Sequence, residues 1–142
     1  KSDAVLKALG ESGGMLGFSV YPHHLKGGSD CKLQSFCDMI ARTADLMGED
    51  HIGIGTDLCQ DQPDSIVEWM RTGRWTKTID YGEGSAAAPG FPAMPDWFED
   101  NRHFGNVAKG LATAGLTKAQ TDKIMGGNWH RFFASSFGPK DT

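Results

Sequence analysis

Residues 51–60 read HIGIGTDLCQ. A short apolar run with two glycines stops on Asp57, where a strand would leave the core. Upstream, Leu33, Phe36, Cys37, Ile40, Ala41, Ala44 and Met47 recur at spacings of three and four. That is the pattern of an amphipathic helix, and Gly48 stands where such a helix stops. Before it, residues 13–22 read GGMLGFSVYP. Met15, Leu16, Phe18 and Val20 make a near-continuous apolar run ended by Pro22, as in a strand buried on both faces of a parallel sheet. Strand, helix and strand with short connections form a βαβ unit, whose strands run parallel.

On the N-terminal side, KSDAVLKALG shows neither an initiator Met nor a signal-peptide pattern. It reads as the end of a helix, with Ser2 as cap, an apolar face of Val5, Leu6 and Leu9, and Gly10 as stop. The chain is therefore expected to be cut from something longer. On the C-terminal side, residues 64–72 (DSIVEWMRT) predict a short helix with Pro63 near its start. Residues 73–95 form a long irregular stretch centred on GEGSAAAPGFPAMP, the length of a lid or binding loop. Trp69 and Trp75 suggest that it packs on something. A helix is expected over residues 96–114, carrying Phe98, Phe104, Val107, Ala108 and Leu111 and ended by Gly115. Thr117 and Gln120 then form a capping box. Ile124, Met125, Trp129, Phe132 and Phe133 line one face as far as Phe137. Gly126 and Gly127 inside that helix cost roughly 1 kcal/mol each relative to Ala, so a close packing contact is expected there.

Composition bounds the rest. The 142 residues fit one domain. Hydrophobic content of 39% and charged content of 23% are ordinary for a globular protein. A net charge of −4 gives no basic surface for nucleic acid. Cys31, Cys37 and Cys59 show no CxxC pair and no metal spacing, and read as reduced thiols of a cytoplasmic protein. No apolar run approaches the roughly 20 residues of a membrane span.

Two parallel strands cannot make a stable sheet alone, because their faces and edges need neighbours. The expected fold class is therefore α/β, a C-terminal piece of a larger fold of which a (β/α)8 TIM-type barrel is one example. It has the final βαβ unit over about residues 1–60, a helix and long loop over 61–95, and C-terminal helices over 96–137. A whole barrel needs roughly 200 to 250 residues or more.

In such barrels the active site lies at the C-terminal strand ends. Asp57 sits at one, poised for acid/base work or cation binding; the competing reading is an aspartate that caps the next turn. Tyr21 ends the other strand on the same rim, and either lines a substrate pocket or simply packs. His23 and His24 follow it. They are solvated loop histidines, or one of them is a metal ligand; neighbours on extended chain point opposite ways, so both do not bind one ion. His51 precedes its strand and reads as structural, and His103 and His130 as packed or capping residues. Cys59, with no base nearby, reads as a buried thiol rather than a nucleophile. Gly53 and Gly55 lack the third glycine of a dinucleotide motif and read as small residues in a crowded barrel.

Three segments carry a resemblance: GGMLGFSVYP, then DLMGEDHIGIGTDL, then WFEDNRHFGNVAKGLATAGLTKAQTDKIMGGNWHRFF. Together they resemble the C-terminal part of the membrane (renal) dipeptidases, zinc peptidases of the amidohydrolase superfamily. The likeness is weakest over residues 60–95. It implies metal-dependent hydrolysis of dipeptides in a (β/α)8 barrel, with this chain supplying the seventh and eighth strands and the terminal helices. It implies a binuclear zinc centre whose ligands come from earlier strands, none of whose motifs is present here. Asp57 would be the eighth-strand aspartate, the catalytic residue that shuttles a proton to the leaving nitrogen and faces the substrate amine, and Tyr21 would line the substrate pocket. The implied partners are the N-terminal remainder of the barrel, a dipeptide-like substrate and a second copy in a homodimer. One departure stands out: the family's DFDG is DLCQ here.

Two other readings compete. A barrel that has lost catalysis would serve as a binding or scaffold protein, and the residues upstream of Lys1 would lack an HxD motif and the later acid and histidines. An autonomous small α/β domain would fold at this length as a cooperative monomer.

Overall fold

The computed structural model describes residues 1–73, 78 and 91–138, without the side chains of Arg71 and Thr72. Trp75 and most of the expected loop over 73–95 lie outside the described residues.

Helix α1 (Asp3–Glu11) starts as the sequence requires, with Ser2 Oγ accepting the Val5 N–H at 3.4 Å. It runs one residue past Gly10, where the glycine serves close packing instead of a stop: a Cβ there would meet the Met47 carbonyl oxygen at 2.5 Å. Strand β1 (Leu16–Phe18) follows, then α2 (Leu33–Met47), stopped by Gly48 at φ 88°. Strand β2 (Ile52–Ile54) pairs with β1 in parallel, in the register Leu16 to Ile52, Gly17 to Gly53 and Phe18 to Ile54. The βαβ unit is thus present, with a shorter ladder than the apolar runs suggested. The regular pairing stops where Pro22 opens a 3-10 turn (Pro22–His24) and Asp57 takes φ 55°.

One face of the sheet packs on the helices. Phe18 meets Phe36 of α2 edge to face, centroids 6.3 Å apart, and Ile40 and Ile52 are fully buried beside them. The other face is not the doubly buried surface that the sequence suggested. Gly17 is exposed, and the indole of Trp129 lies across Gly17 and Gly53.

Helix α3 (Asp64–Thr72) begins after Pro63. The helix expected over 96–114 begins later, as a 3-10 turn (Asn101–His103) leading into α4 (Phe104–Thr113). Two anchors hold residues 96–100 out of the helix. Phe98 is fully buried, and the Trp97 indole donates to the Cys31 carbonyl at 2.7 Å. Asp100 then caps the turn: its side chain accepts the Arg102 N–H at 2.8 Å, and its own N–H donates to His103 Nδ1 at 3.3 Å.

Helix α5 (Lys118–Asp122) opens with the Thr117–Gln120 capping box. A π turn (Lys123–Gly127) joins it to α6 (Asn128–Phe137). The expected close contact at Gly126 is absent, as nothing lies within 4 Å of a Cβ there. Gly126 instead has non-helical backbone (φ 166°, ψ −25°). The π turn thereby shifts the helix register and carries the next two side chains to β2. Buried Asn128 donates to the Glu49 and Ile52 carbonyls at 2.7 and 2.8 Å, and Trp129 Nε1 donates to the Ile54 carbonyl at 2.9 Å. Gly55 gives its N–H to Phe18, so residues 53 and 55 turn their backbone groups to β1 and 52 and 54 turn theirs away. Asn128 and Trp129 therefore satisfy the two carbonyls, of Ile52 and Ile54, on the outer edge of β2.

Gly53 makes room for this. A Cβ there would sit 2.8 Å from Trp129 Cδ1 and press on Nε1. Gly53→Ala is expected to destabilise the protein by about 2 kcal/mol, the scale of core overpacking. Gly105→Ala, in open space on α4, should be neutral or stabilising. Urea unfolding of the two variants checks both.

Candidate functional site

The parallel register brings two candidates together. Phe18 and Ile54 are paired, so Tyr21 and Asp57 each lie three residues beyond the same rung, at the C-terminal end of the sheet. Val20 N–H donates to the Thr56 carbonyl at 3.1 Å, which holds the two exits side by side. Asp57 adopts the left-handed backbone region that Asp and Asn tolerate better than most residues. Its neighbour caps the turn, Thr56 Oγ1 accepting the Leu58 N–H at 3.4 Å. The Asp57 carboxylate faces His24, with Oδ2 4.0 Å from Nδ1, and both side chains are more than half exposed. Tyr21 is half-buried, its ring in edge contact with those of His23 and His24.

A cavity of about 540 Å³ opens beside these exits. Tyr21, Leu58, Cys59 and Gln60 form one wall, Phe91, Pro92 and Met94 another, and Glu99, Asp100, Asn101 and Arg102 a third. Gln60 Oε1 accepts the Asn101 N–H at 3.3 Å, tying the turn after β2 to the start of α4. Arg102 grips Asp100 with two nitrogens, which holds that carboxyl at about 2.

The other candidates fall elsewhere. His51 Nδ1 lies 3.1 Å from the Gly14 carbonyl, at the opposite end of the sheet, and is structural. His103 completes the Asp100 cap. His130 is exposed on α6, not packed. Cys59 is also exposed, which corrects the buried-thiol reading: the chain past Asp57 turns outward along the cavity rather than back into the core. Cys31 and Cys37 are the buried pair, and burial pushes the Cys37 thiol up to about 11. Among the described residues no group of three or more His, Cys, Asp or Glu side chains could hold a metal ion. The residues described here do not by themselves fit the binuclear zinc centre that the resemblance implies. Among them, too, no helix is long and apolar enough to cross a membrane. Sequence reasoning missed the His24–Asp57 contact; the signal was the parallel register, which brings the two strand exits side by side.

Residues 2–71, which contain both strands and both exits, match the sequence profile of the membrane dipeptidases, peptidase family M19. The fold is similar to the crystal structure of an amidohydrolase from Pseudomonas aeruginosa, at 27% identity and a TM-score of 0.82, over 98% of this chain and 41% of that one. It is also similar to that of the dipeptidase AC, a metallopeptidase of family M19. There the identity is 17% and the TM-score 0.67, over 98% of this chain and 33% of that one. The chain thus spans well under half the length of either solved structure. No curated protein matches it.

Two measurements check this geometry. In the native protein carrying this sequence, an alkylating reagent should modify Cys59 while Cys31 and Cys37 react only after denaturation, as peptide mass mapping would show. The second concerns pH. The folded Asp100 carboxyl titrates at about 2, below its ordinary value of 3.8. A depressed carboxyl stabilises the fold above its unfolded value and loses that contribution as pH falls through the folded one. Asp100→Asn should therefore lower stability at pH 6, and its difference from the parent should shrink between about pH 4 and 2 in acid unfolding curves.

Proposed function

We propose that this chain is the C-terminal segment of a dipeptidase-type amidohydrolase and that Asp57 carries protons at its active site. The observation that supports this best is the shared exit of the two parallel strands, which sets Asp57 beside Tyr21 next to an open cavity. The family match of residues 2–71 and the likeness to a longer amidohydrolase point the same way. The sheet itself asks for more chain. Two strands of three residues are far short of an independently stable parallel sheet. In this reading the remaining strands come from a preceding segment of the same barrel.

The reaction is hydrolysis of the amide bond of a dipeptide. Water adds to the amide carbon and loses a proton, the C–N bond breaks, and the leaving nitrogen takes up a proton. A carboxylate within hydrogen-bond reach of both water and nitrogen accepts the first proton and delivers the second. Asp57 suits that task by its place on the rim and by its exposure. Tyr21, half-buried on the same rim, would line the side of the pocket that receives the substrate. The two zinc ions of such an enzyme would be held by residues outside this sequence.

Asp57→Asn in the full protein should lower kcat for an unblocked dipeptide such as alanyl-alanine by about 10²-fold or more, the usual scale of general acid/base groups. The thermal midpoint should hardly move. Turnover close to that of the parent would refute the role given to Asp57.

A further inference from the structure

One side chain touches both candidates. His24 closes the 3-10 turn after β1, its N–H donating to the Tyr21 carbonyl at 2.9 Å. Its Nδ1 lies 2.9 Å from Ser19 Oγ and 4.0 Å from Asp57 Oδ2. Its ring meets that of Tyr21 at 63°, centroids 5.4 Å apart. Ser19 Oγ also accepts the Tyr21 N–H at 3.0 Å. The bond between Ser19 Oγ and Nδ1 runs either way: an imidazole with its only proton on Nε2 accepts the serine proton, whereas one with a proton on Nδ1 donates from there, to Ser19 or to the carboxylate.

We propose that His24 is a positioning residue for Asp57. Backbone, hydroxyl and aromatic ring fix the imidazole on the β1 exit, and the imidazole, with a proton on Nδ1, fixes the direction of the carboxylate on the β2 exit. Asp57 needs such a partner. Its positive φ sets where the side chain leaves the backbone, but at 58% exposure packing does not select its rotamer. Among the described residues His24 is one side chain that approaches the carboxylate. Orientation of a proton carrier acts on the rate of the chemical step more than on substrate binding. Because His24 too is 56% exposed, solvent screens the pair and its effect is modest. The proposal rests on the reading of Asp57 as the proton carrier.

The test uses the full protein with alanyl-alanine as substrate. His24→Ala should lower kcat about tenfold, with KM changed by less than about twofold. His24→Asn, whose amide reproduces the Nδ1 position, should recover most of that loss. In an Asp57→Asn background His24→Ala should cost nothing further, since residues acting as one unit are not additive. Unchanged kcat in His24→Ala, or losses that add in the double variant, would overturn the role of His24 while an inactive Asp57→Asn leaves the proton carrier standing. A fully active Asp57→Asn would remove the proton carrier itself, and with it the ground for this proposal. Crystal structures give a readout independent of turnover. Asp57 should hold one orientation toward residue 24 in the parent and several in His24→Ala; the same single orientation in both would overturn the proposal.

Discussion

Everything at the candidate site depends on one pairing, Phe18 with Ile54 in a parallel ladder. Because the strands run the same way, their C-terminal exits emerge together, and side chains thirty-six residues apart in sequence share one rim. An antiparallel pair would have put Tyr21 and Asp57 at opposite ends. The crossover helix α2 makes the parallel pairing possible, and Phe36 and Ile40 lock it by burying the sheet face that carries Phe18 and Ile52.

The C-terminal helices support that short ladder rather than the rim. Asn128 and Trp129 bring side-chain donors to carbonyls on the outer edge of β2, where a strand's N–H groups would otherwise be needed. Ion pairs fasten the same end: Lys123 reaches Glu49 at 2.6 Å and Asp50 at 3.0 Å, and the Lys123 and Gln120 hydrogen bonds hold the Glu49 carboxyl below its usual range. The ion pairs and the Asn128 bond to Glu49 lie at the N-terminal end of β2, opposite Asp57, while the Trp129 bond to Ile54 reaches its C-terminal end.

Much of this was legible in the sequence, for local reasons. The 3.6-residue pattern of 33–47 with Gly48 behind it, the Ser2 cap and the Thr117–Gln120 box each encode their own geometry, and the structure follows them. What was not legible depended on contacts distant in sequence. Continuous apolar character could not show that Trp129 covers the glycine face of the sheet, so strand length and burial were overread. A helical spacing through residues 96–114 hid the anchoring of Trp97 on Cys31 and the cap at Asp100. Two glycines in a row read as a close packing contact inside a helix, whereas Gly126 marks a π turn with non-helical backbone. At the site, Asp57 and Tyr21 could be placed from strand ends alone, whereas the approach of His24 to Asp57 needs the register.

The same logic bears on the stretch DLCQ, where the resembled family carries DFDG. Cys59 and Gln60 line the cavity, and Gln60 accepts the Asn101 N–H at the 3-10 turn before α4. An acid at position 59 would have added a charge to a cavity lining that already carries Asp61 and Glu99. A thiol there is neutral and small, and an amide at position 60 can accept from backbone as a glycine cannot. The substitution therefore exchanges charge for a neutral, hydrogen-bonded wall while leaving the rim aspartate and its backbone turn in place. In physical terms the pocket's shape and polarity can change along this wall independently of the group proposed to move the proton.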